Sequence, residues 1–309
     1  MIVLTDKKLN IDCLKEIEVI NISRVNDLEK YNNNSDVIAI CGSRALSIKT
    51  ANLNFPSLRL FQLTSAGFDY VPLEEYASRE IAVANAGGVY SVPIAETVVF
   101  GILQMAKKLR KNPNNRHFKL TRGYNTITEL KDKKVLIMGA GNIGTAVANR
   151  LAGFEMQIEG YDPYCPDKEP YKKILRTVEE LKANLSSYDY IVSTLPDNEQ
   201  TRGFIDKDLF CCMSKNAVIV NVGRKSVFNN DDFYTALKTG GIGGAVLDMF
   251  EKIPNPITNK FRRLKNVVVL PGVSAISQEL NERLRVHMSE NVCAAIEGRE
   301  IKSVINGVK

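Results

Sequence analysis

Tryptophan is absent from this 309-residue chain and histidine occurs only twice, as His117 and His287. Acid–base chemistry near neutral pH therefore has few ordinary candidates. The six cysteines, Cys13, Cys41, Cys165, Cys211, Cys212 and Cys293, form no C-x-x-C pair and have no histidine at metal-ligand spacing. That pattern argues against a disulfide framework and a zinc site, and leaves buried or incidental thiols. No apolar run approaches the length of a membrane span, and Met1-Ile2-Val3-Leu4-Thr5-Asp6 lacks a basic n-region and a long apolar h-region. A cytoplasmic protein with no membrane partner is expected. A dense Lys/Arg block with interleaved aromatics is also missing, so a nucleic-acid partner has no support despite the formal charge of +6. That modest charge suits attraction of an anionic substrate. What remains, 44% hydrophobic and 25% charged residues, describes a soluble chain long enough for two domains.

The most informative stretch is Val135-Leu136-Ile137-Met138-Gly139-Ala140-Gly141-Asn142-Ile143-Gly144. It reads as a buried strand, a glycine turn and the start of a helix. Gly139 permits the tight turn, Gly141 lets backbone N–H groups approach phosphate oxygens, and Gly144 lets the helix pack on the sheet. The helix dipole then faces the anion. Thr145–Ala152 continues as a helix, and a second strand, Gln157–Tyr161, ends at Asp162. An acid there binds both ribose hydroxyls of NAD and repels the 2′-phosphate of NADP, so NAD is the expected cofactor. Lys168, Lys172 and Lys173 nearby act in the opposite sense.

Strand-like runs Ile2–Leu4, Ile17–Ile20, Val37–Ile40, Leu60–Leu63 and Ile81–Ala84 alternate with helix-capable segments and predict a parallel α/β sheet. The fourth run leads into Thr64-Ser65-Ala66-Gly67-Phe68-Asp69, a turn at the strand's carboxyl end, where N–H groups could grip a carboxylate or simply make a βα turn. A long apolar stripe predicts a helix from Ser91 to about Lys111. Later runs, Ile191–Pro196, Ala217–Asn221, Ala245–Leu247 and Val267–Leu270, suit a doubly wound sheet. An amphipathic helix over about Gln278–Gly298 is expected to return to the first domain. At Asn221-Val222-Gly223-Arg224 a strand delivers an arginine whose planar fork suits a bidentate grip on a carboxylate.

With that arginine in view, the chain resembles the D-isomer-specific 2-hydroxyacid dehydrogenases, a family that includes D-3-phosphoglycerate dehydrogenase. The likeness runs through Ser65–Asp69, Ala95-Glu96, the Gly139/Gly141/Gly144 loop with Asp162, and Leu195-Pro196 with Thr201-Arg202-Gly203. It continues through Asn221–Arg224, Leu247–Glu251 and Asn266-Val267 with Pro271. The resemblance implies an α/β fold of two doubly wound parallel-sheet domains: a flavodoxin-like substrate domain over 1–89 plus 278–309, and a Rossmann NAD-binding domain over 90–277. Ala66 and Gly67 are then expected to give N–H groups to the substrate carboxylate. Arg224 binds the carboxylate and polarises the carbonyl as the catalytic residue. Gly139, Gly141, Asn142, Ile143, Gly144, Asp162, Leu195, Pro196, Val222 and Thr201 line the cofactor, and Asp248 holds the nicotinamide carboxamide. A homodimer through the helix near Ser91 is also implied.

The departures from the family pattern concern the proton. Where the family has histidine after the proline, this chain has Gly272, and the partner glutamate falls on Ile253. Losing a general acid typically costs about 10²–10⁴ in rate. His117 and His287 do not stand at family catalytic positions, whereas Tyr90 and Lys225 are better placed to replace the acid. Two functions are therefore weighed. One is an NAD-dependent oxidoreductase of a small 2-hydroxy or 2-oxo acid with altered proton chemistry, including a substrate whose own ionisable group supplies the proton. The other is an NAD(H)-binding protein without turnover.

Overall fold

The computed structural model describes residues 1–7, 9, 17–108, 127–248 and 260–308. They form two compact units, one of Met1–Tyr90 with Ser277–Lys309 and the other of Ser91–Ile276. Each division falls one residue from the expected boundaries. Tyr90 is tied to the first unit by its hydroxyl, which donates to the Thr64 carbonyl, and the Ser277 hydroxyl accepts from Arg283.

In the first unit the short apolar runs become parallel strands β1 (Ile2–Thr5), β2 (Glu18–Asn21), β3 (Val37–Gly42), β4 (Leu60–Leu63) and β5 (Ala82–Ala84). Their order is β2-β1-β3-β4-β5, the flavodoxin-like arrangement. β3 and β4 are buried throughout, as strands covered on both faces must be. Helices α1 (Arg44–Ala51) and α2 (Leu73–Ala77) follow β3 and β4. The carboxy-terminal helix of this unit runs from Leu280 to Glu297 and packs on β3 and β4. There Asn291, 1% exposed, donates to Gln62 of β4 at 2.7 Å and to the Lys302 carbonyl at 3.0 Å.

The second unit opens with α3 (Ser91–Ala106). Parallel strands β6 (Lys134–Met138), β7 (Gln157–Tyr161), β8 (Ile174–Leu175), β9 (Tyr190–Ser193), β10 (Val218–Asn221), β11 (Gly244–Leu247) and β12 (Val267–Val269) follow. Their order is β12-β11-β10-β9-β6-β7-β8, which reverses between β6 and β9 and so creates a ligand-binding switch point at their carboxyl ends. α3 packs with α4 (Asn142–Ala152) on one face; at Gly101 the packing is so close that a Cβ would stand 2.9 Å from Val246. The other face is covered by α5 (Val178–Asn184), α6 (Lys207–Cys212) and α7 (Asn230–Thr239). Asp206 and Asn229 cap α6 and α7 by accepting two backbone N–H groups each. With these elements numbered, the Leu280–Glu297 helix is α8.

Beneath α6 and α7 the fully buried Phe233 ring lies 5.3 Å from Phe210, 4.7 Å from Phe228 and 5.6 Å from Phe261. Phe233→Ala is expected to lower unfolding free energy by about 3–5 kcal/mol in urea titration. A loss below about 1 kcal/mol would show that the aromatic cluster is not a main stabilising element of this unit.

Candidate active site

Between Met138 at the end of β6 and Asn142 at the start of α4 the chain must reverse, and the glycines make this possible in different ways. Gly139 has φ +94, and a Cβ on it would meet Thr194 Oγ1 at 2.7 Å. A Cβ on Gly144 would lie 2.0 Å from the Gly139 carbonyl oxygen, so only glycine lets α4 approach this closely. Gly141 is exposed, and a Cβ there would meet nothing within 4 Å. It is also the N-cap of α4 and makes no side-chain cap bond, leaving the N–H groups of Asn142 and Ile143 at the positive end of the helix. This open cradle fits the pyrophosphate of a dinucleotide.

Asp162 follows β7 and is tied into the same turn. One carboxylate oxygen accepts the Ala140 N–H at 2.9 Å; the other accepts those of Tyr164 at 3.0 Å and Cys165 at 3.1 Å. The Lys168 ammonium donates to the Ala140 carbonyl at 2.7 Å. Ala140 is thus held from both sides, by a carboxylate and by an ammonium.

The next loops of the sheet edge touch this turn directly. The Thr194 hydroxyl donates to the Gly139 carbonyl at 2.9 Å. Leu195 is buried and Pro196 exposed, and the Thr201 hydroxyl donates to the Pro196 carbonyl at 2.6 Å, closing the loop between them. Gly223 then presses on that loop: a Cβ would stand 2.7 Å from the Leu195 carbonyl oxygen. Val222 is buried, and Arg224 emerges in extended conformation, φ −113 and ψ 143. Contacts therefore run in series from Gly139 through Thr194 and Leu195 to Gly223, and place Arg224 on the same edge as the glycine turn. Asp197 accepts from Arg202 Nε at 2.7 Å. This bond, helped by the Arg224 charge, holds the Asp197 carboxyl below the usual carboxylate range.

Asp248, 1% exposed, follows β11. Its carboxylate oxygens accept the N–H groups of Val273 and Ser274, each at 3.2 Å. Gly272, just before them, has φ +74, a left-handed conformation. Ile253 and His117 lie outside the described residues.

In the first unit, Ala66 and Gly67 occupy the loop after β4. Asn85 donates its side-chain amide to the Ala66 carbonyl at 2.7 Å, and the Ser65 hydroxyl donates to the Gly67 carbonyl at 2.7 Å. The N–H groups of Ala66 and Gly67 meet no backbone acceptor among the described residues. His287 Nε2 lies 2.9 Å from the Asn85 carbonyl and so donates to it, buttressing the same loop. Tyr90 is a poor acid: its hydroxyl donates to the Thr64 carbonyl at 2.5 Å, and burial pushes its pKa up.

Sequence reasoning missed the anchoring of Lys168, the contact at Gly223 and the Asp197–Arg202 pair. A basic residue six positions beyond Asp162 was the only trace of the first. The cysteine reading needs one correction: Cys41, Cys165, Cys211 and Cys212 are free, but Cys293 is disulfide-bonded. Among the described residues no cluster of His, Cys, Asp and Glu could hold a metal, and no helix is long and apolar enough to cross a membrane.

The family model for the D-isomer specific 2-hydroxyacid dehydrogenase NAD binding domain matches residues 98–274. A glyoxylate reductase of Korarchaeum cryptofilum is 30% identical over 263 residues, covering 81% of this chain and 77% of that protein. A D-3-phosphoglycerate dehydrogenase of Archaeoglobus fulgidus is 27% identical over 251 residues, covering 81% of this chain but only 47% of that protein; against such relatives the chain spans about half the length. In fold, an NADPH-dependent glyoxylate/hydroxypyruvate reductase of Sinorhizobium meliloti, solved with NADP and sulfate, superposes with a TM-score of 0.78 at 24% identity over 98% of each chain. The chain belongs to the D-isomer-specific 2-hydroxyacid dehydrogenase family, and its second unit carries the NAD-binding domain.

Two alanine variants separate the duties of the glycines. Gly144→Ala is expected to lose NADH binding together with about 1–3 kcal/mol or more of stability, through overpacking against Gly139. Gly141→Ala is expected to fold normally yet bind NADH at least about tenfold more weakly, read from NADH emission. Unchanged NADH affinity in Gly141→Ala would show that phosphate does not approach this face.

Proposed function

We propose that the protein is an NAD-dependent oxidoreductase acting on the CH–OH group of a small 2-hydroxy acid or its 2-oxo partner, with proton chemistry that does not use the family histidine. The reading is supported by Arg224, whose backbone follows Gly223 on the sheet edge that carries the glycine turn. A guanidinium there supplies a bidentate grip on a carboxylate and polarises the neighbouring carbonyl. The family resemblance assigns the N–H groups of Ala66 and Gly67 to a substrate carboxylate, and Asp248 to the nicotinamide carboxamide. NAD is preferred over NADP because Asp162, pinned at the end of β7, places negative charge where a 2′-phosphate would bind. Lys168 spends its ammonium on the Ala140 carbonyl and offsets this only in part. A cytoplasmic homodimer completes the reading. The dimer follows from the family resemblance and would be contradicted by a single-subunit mass in light scattering.

A second reading, NADH binding without turnover, draws its support from the left-handed glycine at position 272. One set of measurements separates the two. With no tryptophan in the chain, NADH emission can be titrated directly. NADH is expected to bind more tightly than NADPH, and Asp162→Asn to narrow the difference by about tenfold; tighter NADPH binding by the unaltered protein would contradict the NAD assignment. At high protein concentration, loss of NADH absorbance with a panel of 2-oxo acids is expected. Arg224→Ala should abolish that loss while leaving NADH affinity nearly unchanged, and equal loss of both would remove the role given to Arg224. NADH binding with no turnover at any pH from mildly acidic to mildly alkaline would leave only the second reading.

A further inference from the structure

Two tyrosines reach from the end of β7 to the segment that follows β9. Tyr161, 5% exposed, stacks on Phe204 with ring centroids 5.7 Å apart and planes 11° from parallel. Tyr164, 77% exposed, donates its hydroxyl to the Gln200 side-chain carbonyl at 2.7 Å. Because β6 lies between β7 and β9 in the sheet, each contact spans the carboxyl end of β6, where the chain turns through Gly139. That gap is two strand spacings, about 10 Å, so only long side chains can close it. Its rims are fastened to the turn itself: Asp162 accepts the Ala140 N–H at 2.9 Å, and Thr194 donates to the Gly139 carbonyl at 2.9 Å.

The two crossings differ in what they can do. Tyr161 and Phe204 are packed, and their stack is a fixed base. At the exposed crossing the backbone ends are pinned: the Tyr164 N–H donates to Asp162, and those of Gln200 and Thr201 donate to the Asn198 side chain, each at 3.0 Å. Rotation of the two side chains therefore opens it, at the cost of one solvent-exposed hydrogen bond. We infer that Tyr164 and Gln200 form a clasp over the adenosine half of the cofactor, opened by side-chain rotation as the dinucleotide enters and closed again with the Tyr164 ring against the adenine. The inference rests on the cofactor reading above and deepens it. With pyrophosphate at the glycine turn and the adjoining ribose at Asp162, the base on that ribose lies toward the gap between the β7 and β9 loops. An aromatic ring stacks on the π face that every base presents. The nicotinamide end, assigned to Asp248 after β11, lies two strands beyond β9 and outside the reach of the clasp. A bridge that opens freely when empty and gains a partner when loaded acts on release of the cofactor more than on its capture.

The test follows NADH emission on the full chain, by titration and by chasing bound NADH with excess ADP-ribose. Tyr164→Ala is expected to weaken NADH and ADP-ribose by the same factor, about tenfold. Reduced nicotinamide mononucleotide, which lacks the adenosine, is expected to bind that variant as it binds the unaltered protein. Tyr164→Phe and Gln200→Ala each remove the hydrogen bond and are expected to speed NADH release about threefold. The double variant should release no faster than either single one, because the same bond is lost in all three. Release rates that multiply in the double variant would overturn the clasp and leave the cofactor reading standing. So would unchanged or tighter NADH binding in Tyr164→Ala, or equal weakening of NADH and the mononucleotide. If the unaltered protein binds neither NADH nor NADPH, the cofactor reading falls and the clasp with it.

Discussion

The approach of α4 to the end of β6 is the constraint on which the second unit depends. With a hypothetical Cβ on Gly144 only 2.0 Å from the Gly139 carbonyl oxygen, the helix has been brought as near to the turn as backbone permits. That closeness points the unbonded N–H groups of Asn142 and Ile143 outward from the sheet edge, where an anion meets both donors and the helix dipole. Asp162 and Lys168 then stop Ala140 from rotating, because its N–H and C=O are each committed to a charged partner. The turn is held in its ligand-ready shape by the protein itself, so little ordering remains to be done on binding.

From that turn the rest of the edge is positioned by contact rather than by long-range forces. Thr194 bonds to Gly139, Leu195 follows it, and Gly223 lies against the Leu195 backbone. Any side chain at 223 would push the Arg224 loop away from the sheet. The backbone of Arg224 thus inherits its place from the glycine turn through a continuous series of contacts. Asp197 adds a local electrostatic control: bonded to Arg202 and within the field of Arg224, it remains a carboxylate under conditions that protonate ordinary ones.

Much of this was legible in the sequence because its physical requirements are local. Gly139, Gly141 and Gly144 are set by a turn, an open face and a helix packing distance, all within one strand–turn–helix unit. Asp162 is read from the end of the next strand, and the apolar strand runs follow from burial on both faces. What escaped depends on residues distant in sequence. β8 has only two residues, Ile174 and Leu175, too few for any periodic signal. Gly223 looks like an ordinary loop glycine until Leu195 is placed against it. The carboxylate of Asp248 finds its donors at Val273 and Ser274, a relation that neither motif reveals alone.

That last relation bears on what position 272 tolerates. Gly272 turns through φ +74, and the N–H groups that follow point at a buried carboxylate. A side chain at 272 would meet the left-handed penalty of about 1–2 kcal/mol for most residues. Relaxing the turn to escape it would pull Val273 and Ser274 away from Asp248 and leave a buried charge without its donors. The turn at Gly272 and the bonds to Asp248 are therefore coupled, so that a change in one disturbs the other.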